Sequence, residues 1–328
     1  MRLYSHGFRV VAILVGAVLP AAATTQIARQ PLAEINAALQ AGEADKALGL
    51  IASLPQGGLD IAQAKFLECR VRFALEQWNT AASACQRAVE LDERNSNYHM
   101  WYGRALGERA SNASFLSAFS LGKQVHQEFE TAVELDPRNA EALSDLGSFD
   151  VDAPGIVGGG IDKAEQVAAQ LDKLDPARAH QLRAEIASNR KDYTTAEKEL
   201  KAAIAASAHP ALQLTVLASF YRHRQQWDQM EAAVRSAQSA AEKDRSAGVA
   251  LYDGAGVLYE SRRDSALAVK MLQDYLACNS KTDEAPAFVA YRRLAELERQ
   301  LGNIAEAQRD QTAALALAHE YQSKEAKH

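Results

Sequence analysis

Residues 97–137 read NYHMWYGRALGERASNASFLSAFSLGKQVHQEFETAVELDP, and this stretch decides the fold. Its first half spaces His99, Tyr102, Gly103 and Leu106 three to four apart, which places them on one face of a helix. Its second half does the same with Phe129 and Ala132 before ending at Leu135-Asp136-Pro137. Small residues such as Gly103 let two antiparallel helices approach closely, while the bulky ones fill the space around them. Proline cannot donate to a continuing helical ladder, so it turns the chain toward another element.

The same small position recurs outward in both directions. Taken as a ruler, it falls at Ala47, Ala81, Val125, Ala164, Ala196, Met230, Ala268 and Ala307, at intervals of 34, 44, 39, 32, 34, 38 and 39 residues. Trp78, Ile161, Tyr193 and Ile304 each lead their ruler residue by three positions, and no strand pattern intervenes. A period near 34 without strands is the signature of stacked helix-turn-helix units that bury one another's apolar faces. The expected fold is all-α, an α-α superhelix of about seven to eight units, with a short first unit ending at Pro55. Val125 and Met230 break the small-residue rule and put local packing there in question.

The Tyr102-Gly103, Phe129, Ala132 and closing Leu-Asp-Pro pattern resembles the tetratricopeptide repeat, with a second Leu174-Asp175-Pro176 and a weaker Leu91-Asp92-Glu93. The resemblance covers roughly residues 28 to 318. It implies that the first helix of each unit lines a concave groove. Its groove positions carry over to Phe66, Arg70, Phe73, Asn97, Met100, Arg104, Arg178, Gln181 and Arg222 as partner-binding residues. Arg70 and Arg104, with Phe66, Phe73, Met100 and Trp101 nearby, make an aromatic-cationic patch of the residue types enriched at binding hot spots. The Lys and Asn set that clamps a pair of carboxylates in some co-chaperones of this family is not reproduced.

Met1–Ala23 reads as a cleaved export signal: Arg2 and Arg9, an apolar run from Val10 to Leu19, then Pro20 and Ala21-Ala22-Ala23. Residues 24–328 are expected to form one solenoid domain, with a frayed tail at 321–328 and no integral membrane span. Loss of the leader removes two Arg and no acid, moving the formal charge from −6 to −8 and giving no pull toward nucleic acid. Cys69 and Cys85 fall on two helices of one unit. Judged about a turn out of register, they are expected to be buried free thiols, with a bridge left open, and Cys278 is expected unpaired.

Two segments interrupt the period. Residues 107–123 lengthen the third unit, either as a longer second helix packed on the first or as a protruding apolar edge carrying Phe115, Leu116, Phe119 and Leu121. Residues 151–163 hold Ala153-Pro154-Gly155-Ile156-Val157-Gly158-Gly159-Gly160, a run also similar to exported bacterial proteins of this repeat type. They are expected to connect units, with Ile156 and Val157 plugging the core; an anion site at the following helix start is the alternative.

Signatures of chemistry are scarce. Ser188-Asn189-Arg190-Lys191 has a Ser-x-x-Lys spacing but falls at a turn and lacks a Lys-Thr-Gly partner. His126 and Glu128 form no His-Glu-x-x-His zinc helix, and His209 and His223 stand alone. No catalytic, cofactor or metal residue is assigned. The function expected is a periplasmic or secreted scaffold that holds an unidentified protein or peptide in its groove, as part of an envelope-associated complex. The alternative is a solenoid pocket for a small apolar ligand or envelope lipid.

Overall fold

The computed structural model describes residues 21–55, 61–278 and 281–321. Sixteen helices follow in order: α1 Ala21–Gln40, α2 Ala44–Ala52, α3 Ile61–Ala74, α4 Trp78–Leu91, α5 Ser96–Ser111, α6 Phe115–Leu135, α7 Ala140–Asp152, α8 Ile161–Leu171, α9 Pro176–Asn189, α10 Tyr193–Ala206, α11 Pro210–His223, α12 Trp227–Lys243, α13 Gly248–Ser261, α14 Ser265–Ala277, α15 Ala287–Gln300 and α16 Ile304–Leu317. Among the described residues there is no strand, and successive helices pair antiparallel into eight units. No helix among them is long and apolar enough to cross a membrane. The leader expected at residues 1–23 lies outside the described residues up to residue 20, and 21–23 open α1.

All eight ruler residues are buried, Val125 and Met230 included. Each sits on the second helix of its unit, and in seven of the eight it is the fourth residue of that helix. Val125 and Met230 therefore occupy the packed position normally held by Ala, accommodated by their neighbours. Met230 packs with Val234, and Met271 lies against Gly254, where an added Cβ would come within 2.5 Å of its methyl.

One turn is repeated between paired helices. Gly42, Glu76, Lys191, Gln225, Arg262 and Gly302 all take left-handed backbone angles, with φ from 54° to 84°. The amide of the next residue reaches back over five positions in every case, as from Gln77 to the Arg72 carbonyl and from Asn303 to the Glu298 carbonyl. This closes the first helix by satisfying carbonyls its own ladder leaves free. The third and fourth units, which carry the two insertions, lack that turn and are joined by 112–114 and 153–160.

Both insertions differ in part from expectation. Helix α6 is 21 residues long, so the second helix is indeed extended, and Leu121 packs on the core. Its first turn nevertheless projects, leaving Phe115 86% and Leu116 81% exposed. In the second insertion Val157 is buried while Ile156 is exposed, so only one of the pair plugs the core. Leu174-Asp175-Pro176 does not close a helix as its counterpart does. Helix α8 already ends at Leu171, and Asp175 instead caps α9, accepting from the Arg178 amide at 3.1 Å, with Pro176 as its first residue.

Cys69 and Cys85 form a disulfide, which corrects the free-thiol expectation. The two cysteines lie eight residues either side of Gln77 beside the α3–α4 turn, so the antiparallel helices bring them level, with Cα atoms 5.0 Å apart. Cys278 is the free cysteine.

The largest departure is closure. The first unit packs against the eighth, so the superhelix is a ring and not an open ribbon. Ile35, Leu39, Ala47, Leu67 and Val71 share one apolar cluster with Phe288, Ala318 and Tyr321. Backbones meet closely there: a Cβ on Gly42 would lie 2.8 Å from that of Ala287. An open solenoid must cover its end units with polar faces, whereas here the two ends cover each other. Tyr321, expected to begin a frayed tail, is 5% exposed and belongs to this seam; the remainder of that tail, 322–328, lies outside the described residues.

Candidate functional site

The first helices of successive units abut along the inner wall of the ring, and polar side chains link them at intervals of about one repeat. Arg70 approaches Asn36 at 3.5 Å, Tyr98 donates to Gln63 at 2.9 Å, and Arg178 reaches the Ser144 hydroxyl at 3.5 Å. Ser148 donates to Glu185 at 2.7 Å, Arg222 pairs with Glu260 at 3.0 Å, and Tyr259 donates to Glu296 at 2.6 Å. The wall is a ladder of charged and polar groups, not a sustained apolar surface.

Its densest part lies on α3, α5 and α7. Two guanidinium groups lie over the Trp101 ring, Arg70 5.4 Å and Arg104 5.0 Å from its centroid, and Arg70 also lies 5.5 Å from the Phe66 ring. Phe73 meets Trp101 edge-on at 5.4 Å. Cations over aromatic faces are attracted by the ring quadrupole, which holds both arginines in place. Arg70 and Arg104 are 34 residues apart and so occupy equivalent positions of consecutive units.

The structure thus brings Phe66, Arg70, Phe73 and Arg104 together around Trp101. Met100 does not join them: it is 1% exposed and packs inside the unit, because the helical position next to the wall-facing Trp101 turns inward. Asn97 sits at the start of α5, accepting from the Asn139 amide at 3.2 Å. Arg178 and Gln181 lie further round on α9 and Arg222 on α11, apart from the aromatic patch.

Neither arginine of the patch is vacant. Arg104 makes two bonds to Asp145, at 2.6 and 3.2 Å, one to Glu141 at 2.7 Å and one to Glu284 at 3.2 Å. Burial works against its charge, but Asp145, Glu141 and Glu284 together more than reverse this and hold its pKa above the ordinary value. Arg70 grips Asp283 with two bonds, at 2.7 and 2.8 Å, its side chain 16% exposed and that of Asp283 7%. Asp283 and Glu284 belong to the connection between α14 and α15, so a segment from the seventh and eighth units reaches the wall of the second and third.

The sequence reading missed this acidic pair. The available signal is the interval of 39 between Ala268 and Ala307, which leaves spare residues between α14 and α15, where Lys281-Thr282-Asp283-Glu284 stands as a polar run. The carboxyl groups around the centre are perturbed. Burial raises Glu284, opposed by Arg104 and reinforced by Glu141 and Asp283. Burial also pushes Asp253 on α13 up to about 6, with Arg293 opposing and Glu284 adding to the shift.

Among the described residues no group of three or more His, Cys, Asp or Glu is placed to hold a metal ion. The glycines before α8 are engaged within the chain: Lys163 donates to the Gly158 carbonyl at 2.7 Å, and the Gly160 amide donates to that of Asp150 at 2.9 Å. Gly158, at φ 110°, lies so close to the His126 ring that an added Cβ would come within 2.6 Å. This segment is a connector.

Eight helix pairs with one recurrent small position and one recurrent turn define a tetratricopeptide-type α-solenoid. No protein-family model and no curated protein matches the sequence. The chain is similar in structure to the crystal structure of the APC/C hetero-tetramer Cut9-Hcn1, with TM-score 0.41 and 15% identity over 84% of this chain and 50% of that one. It thus spans about half of that chain's length. It is also similar to TTC0263, a thermophilic TPR protein in Thermus thermophilus, with TM-score 0.44 and 20% identity over 60% of this chain and 98% of that one. Both likenesses concern the path of the helices and carry no function.

Proposed function

We propose that the protein is an exported, periplasmic interaction scaffold that holds a peptide or protein segment against the inner wall of its helical ring. The observation that carries this reading is the polar ladder on the first helices, a preformed row of directional donors and acceptors. Such a row suits backbone and charged side chains of a polypeptide. A lipid or other apolar ligand would have to cover the exposed parts of Arg178, Arg222 and Glu260 without replacing their hydrogen bonds to water, which costs free energy. Arg70, Phe73, Arg104, Gln181 and Arg222 are the wall residues assigned to the partner, Phe66 supporting them from beneath. The basic, apolar and small-residue run at the N-terminus supports export, and the Cys69–Cys85 bridge suits an oxidising compartment.

A photo-reactive residue placed at Gln181, compared with one at the exposed Ser236 on the outer helix α12, tests the groove in living cells. Protein crosslinks from position 181 and none from 236 are expected. Equal yields at both positions, or purification of the chain with lipid and no protein, would overturn the reading. Cell fractionation with N-terminal sequencing checks the location, the mature chain being expected to begin after Ala23.

A further inference from the structure

We propose that the projecting start of α6 docks the ring on an anionic lipid bilayer, with Phe115, Leu116 and Phe119 entering the interfacial layer. This surface lies apart from the groove and does not depend on the reading above. Phe115 and Leu116, 86% and 81% exposed, open the helix, and Phe119 follows one turn later, half-buried. The short turn 155–157 packs against the same helix, where a Cβ on Gly122 would lie 3.6 Å from Val157, and it leaves Ile156 70% exposed. Large apolar side chains gathered on one projection, unlike single ones scattered over a surface, mark a contact with a protein or a membrane.

Charge selects the occupant. The chain carries a formal net charge of −6, yet residues 109–127 contain no Asp or Glu. Glu108 and Glu128 bound this run, and Glu128 is engaged by His99 at 2.7 Å. Within the run, Arg109 and Lys123 are the permanent cations. Among the described residues neither makes an ion pair, and the Lys123 ammonium stands 4.8 Å from the Phe119 ring centroid. An apolar tip backed by cations matches a bilayer, in which anionic headgroups overlie hydrocarbon. A second copy fits worse, because a two-fold contact through this edge would set Arg109 and Lys123 against the same cations of its partner. Acids elsewhere on the ring do not cancel the attraction, being screened beyond about 8 Å at physiological salt. From Phe115 to Phe119 the helix rises about 6 Å, comparable to the roughly 5–10 Å by which interfacial helices bury their apolar faces. No side chain caps α6, so its first amides are open to phosphate oxygens. So few apolar groups give a reversible, peripheral attachment that holds the ring at the membrane surface.

The test sediments the full mature chain with vesicles, one set of phosphatidylcholine alone and one of equal parts phosphatidylcholine and phosphatidylglycerol. Affinity for the mixed vesicles should exceed that for the neutral ones by at least about tenfold and fall as salt is added. Phe115→Ser with Leu116→Ser, and separately Arg109→Gln with Lys123→Gln, should each weaken binding to the mixed vesicles by at least about tenfold at an unchanged melting temperature. Phe115→Trp gives a readout that does not rely on a loss: the added emission should shift to the blue on mixed vesicles and be quenched by brominated lipid. A parent chain that stays in the supernatant, a Ser pair that sediments like the parent, or added emission that does not move overturns the proposal. So does a parent chain that is dimeric in solution and monomeric with the Ser pair, which would give the edge to a second copy. Crosslinks from Gln181 report on the wall alone: their loss with membrane attachment intact removes the groove reading and leaves this one standing.

Discussion

The hydroxyl of Tyr321 donates to the carboxylate of Glu76 at 2.9 Å, across 245 residues of chain. Glu76 occupies the left-handed position of the α3–α4 turn, and Tyr321 follows the last helix, so this bond joins two ends of the solenoid. The Tyr321 ring also lies 4.8 Å from that of Phe288 and 5.1 Å from the Arg292 guanidinium, and its carbonyl accepts from Arg292 at 3.0 Å. Tyr321→Ala should therefore cost about 3 kcal/mol, as truncation of a buried aromatic does. Tyr321→Phe should cost about 1 kcal/mol, the hydrogen bond alone. Urea midpoints measure both. Small-angle scattering should show the Ala variant expanded and the Phe variant unchanged; an Ala variant as compact as the parent would mean the seam holds without this residue.

Gly103 is the close-approach residue of the third unit. A Cβ there would lie 2.6 Å from the Phe129 ring across α5 and α6, so Gly103→Ala should destabilise by about 1–3 kcal/mol through overpacking. Gly107, on the same helix, has nothing within 4 Å of its would-be Cβ. Gly107→Ala should instead stabilise by about 0.5–1 kcal/mol through the better helix propensity of Ala. Opposite shifts in the melting temperature of the two variants are the expected result, and shifts of one sign would contradict the packing register.

The parts of this fold that are legible in the sequence are those set by contacts within a unit or between neighbours. Ala81 or Ala196 announces itself because a small residue is needed where two helices meet, and the lead residues Trp78 and Tyr193 mark the first residue of a helix. The aromatic-cationic patch is legible for the same reason, since Phe66, Arg70 and Arg104 follow the repeat. Ring closure is not. Whether unit one meets unit eight depends on the rotation accumulated over seven junctions, and no local pattern records that sum. Arg70 can be placed on the wall, but its partner Asp283 lies beyond any periodic argument. Tyr321 misleads because the residues after it are polar, and Ile156 because an apolar residue in a connector need not face inward.

The Cys69–Cys85 bridge spans 16 residues of chain and ties together the two helices of the second unit. Closing a loop of that size restricts the unfolded chain and is worth about 3 kcal/mol. Cys69→Ser with Cys85→Ser should lower stability by about that amount. In the native oxidised protein a thiol reagent should titrate at most one group, Cys278, rising to three after reduction in denaturant. Three reactive thiols in the oxidised, denatured protein would show that the bridge does not form.

Asp253 gives the ring a pH dependence of definite sign. Burial raises its carboxyl from 3.8 to about 6, so between those values the folded chain binds a proton that the unfolded chain has released. Stability from this group therefore falls as pH rises through about 4 to 6, and the full cost of a buried charge is present above that window. Asp253→Asn removes the charge while keeping the shape, although Arg293 then loses part of its compensation. The variant should be more stable than the parent by about 2 kcal/mol at pH 7.5, and the difference should vanish near pH 4. Glu284 is present in both chains and its charge adds to the Asp253 shift, so subtracting the two stability curves reports Asp253 together with its coupling to Glu284. A difference that is constant from pH 4 to 7.5 would mean that the carboxyl ionises normally and that the inner wall is wetter at α13 than its packing indicates.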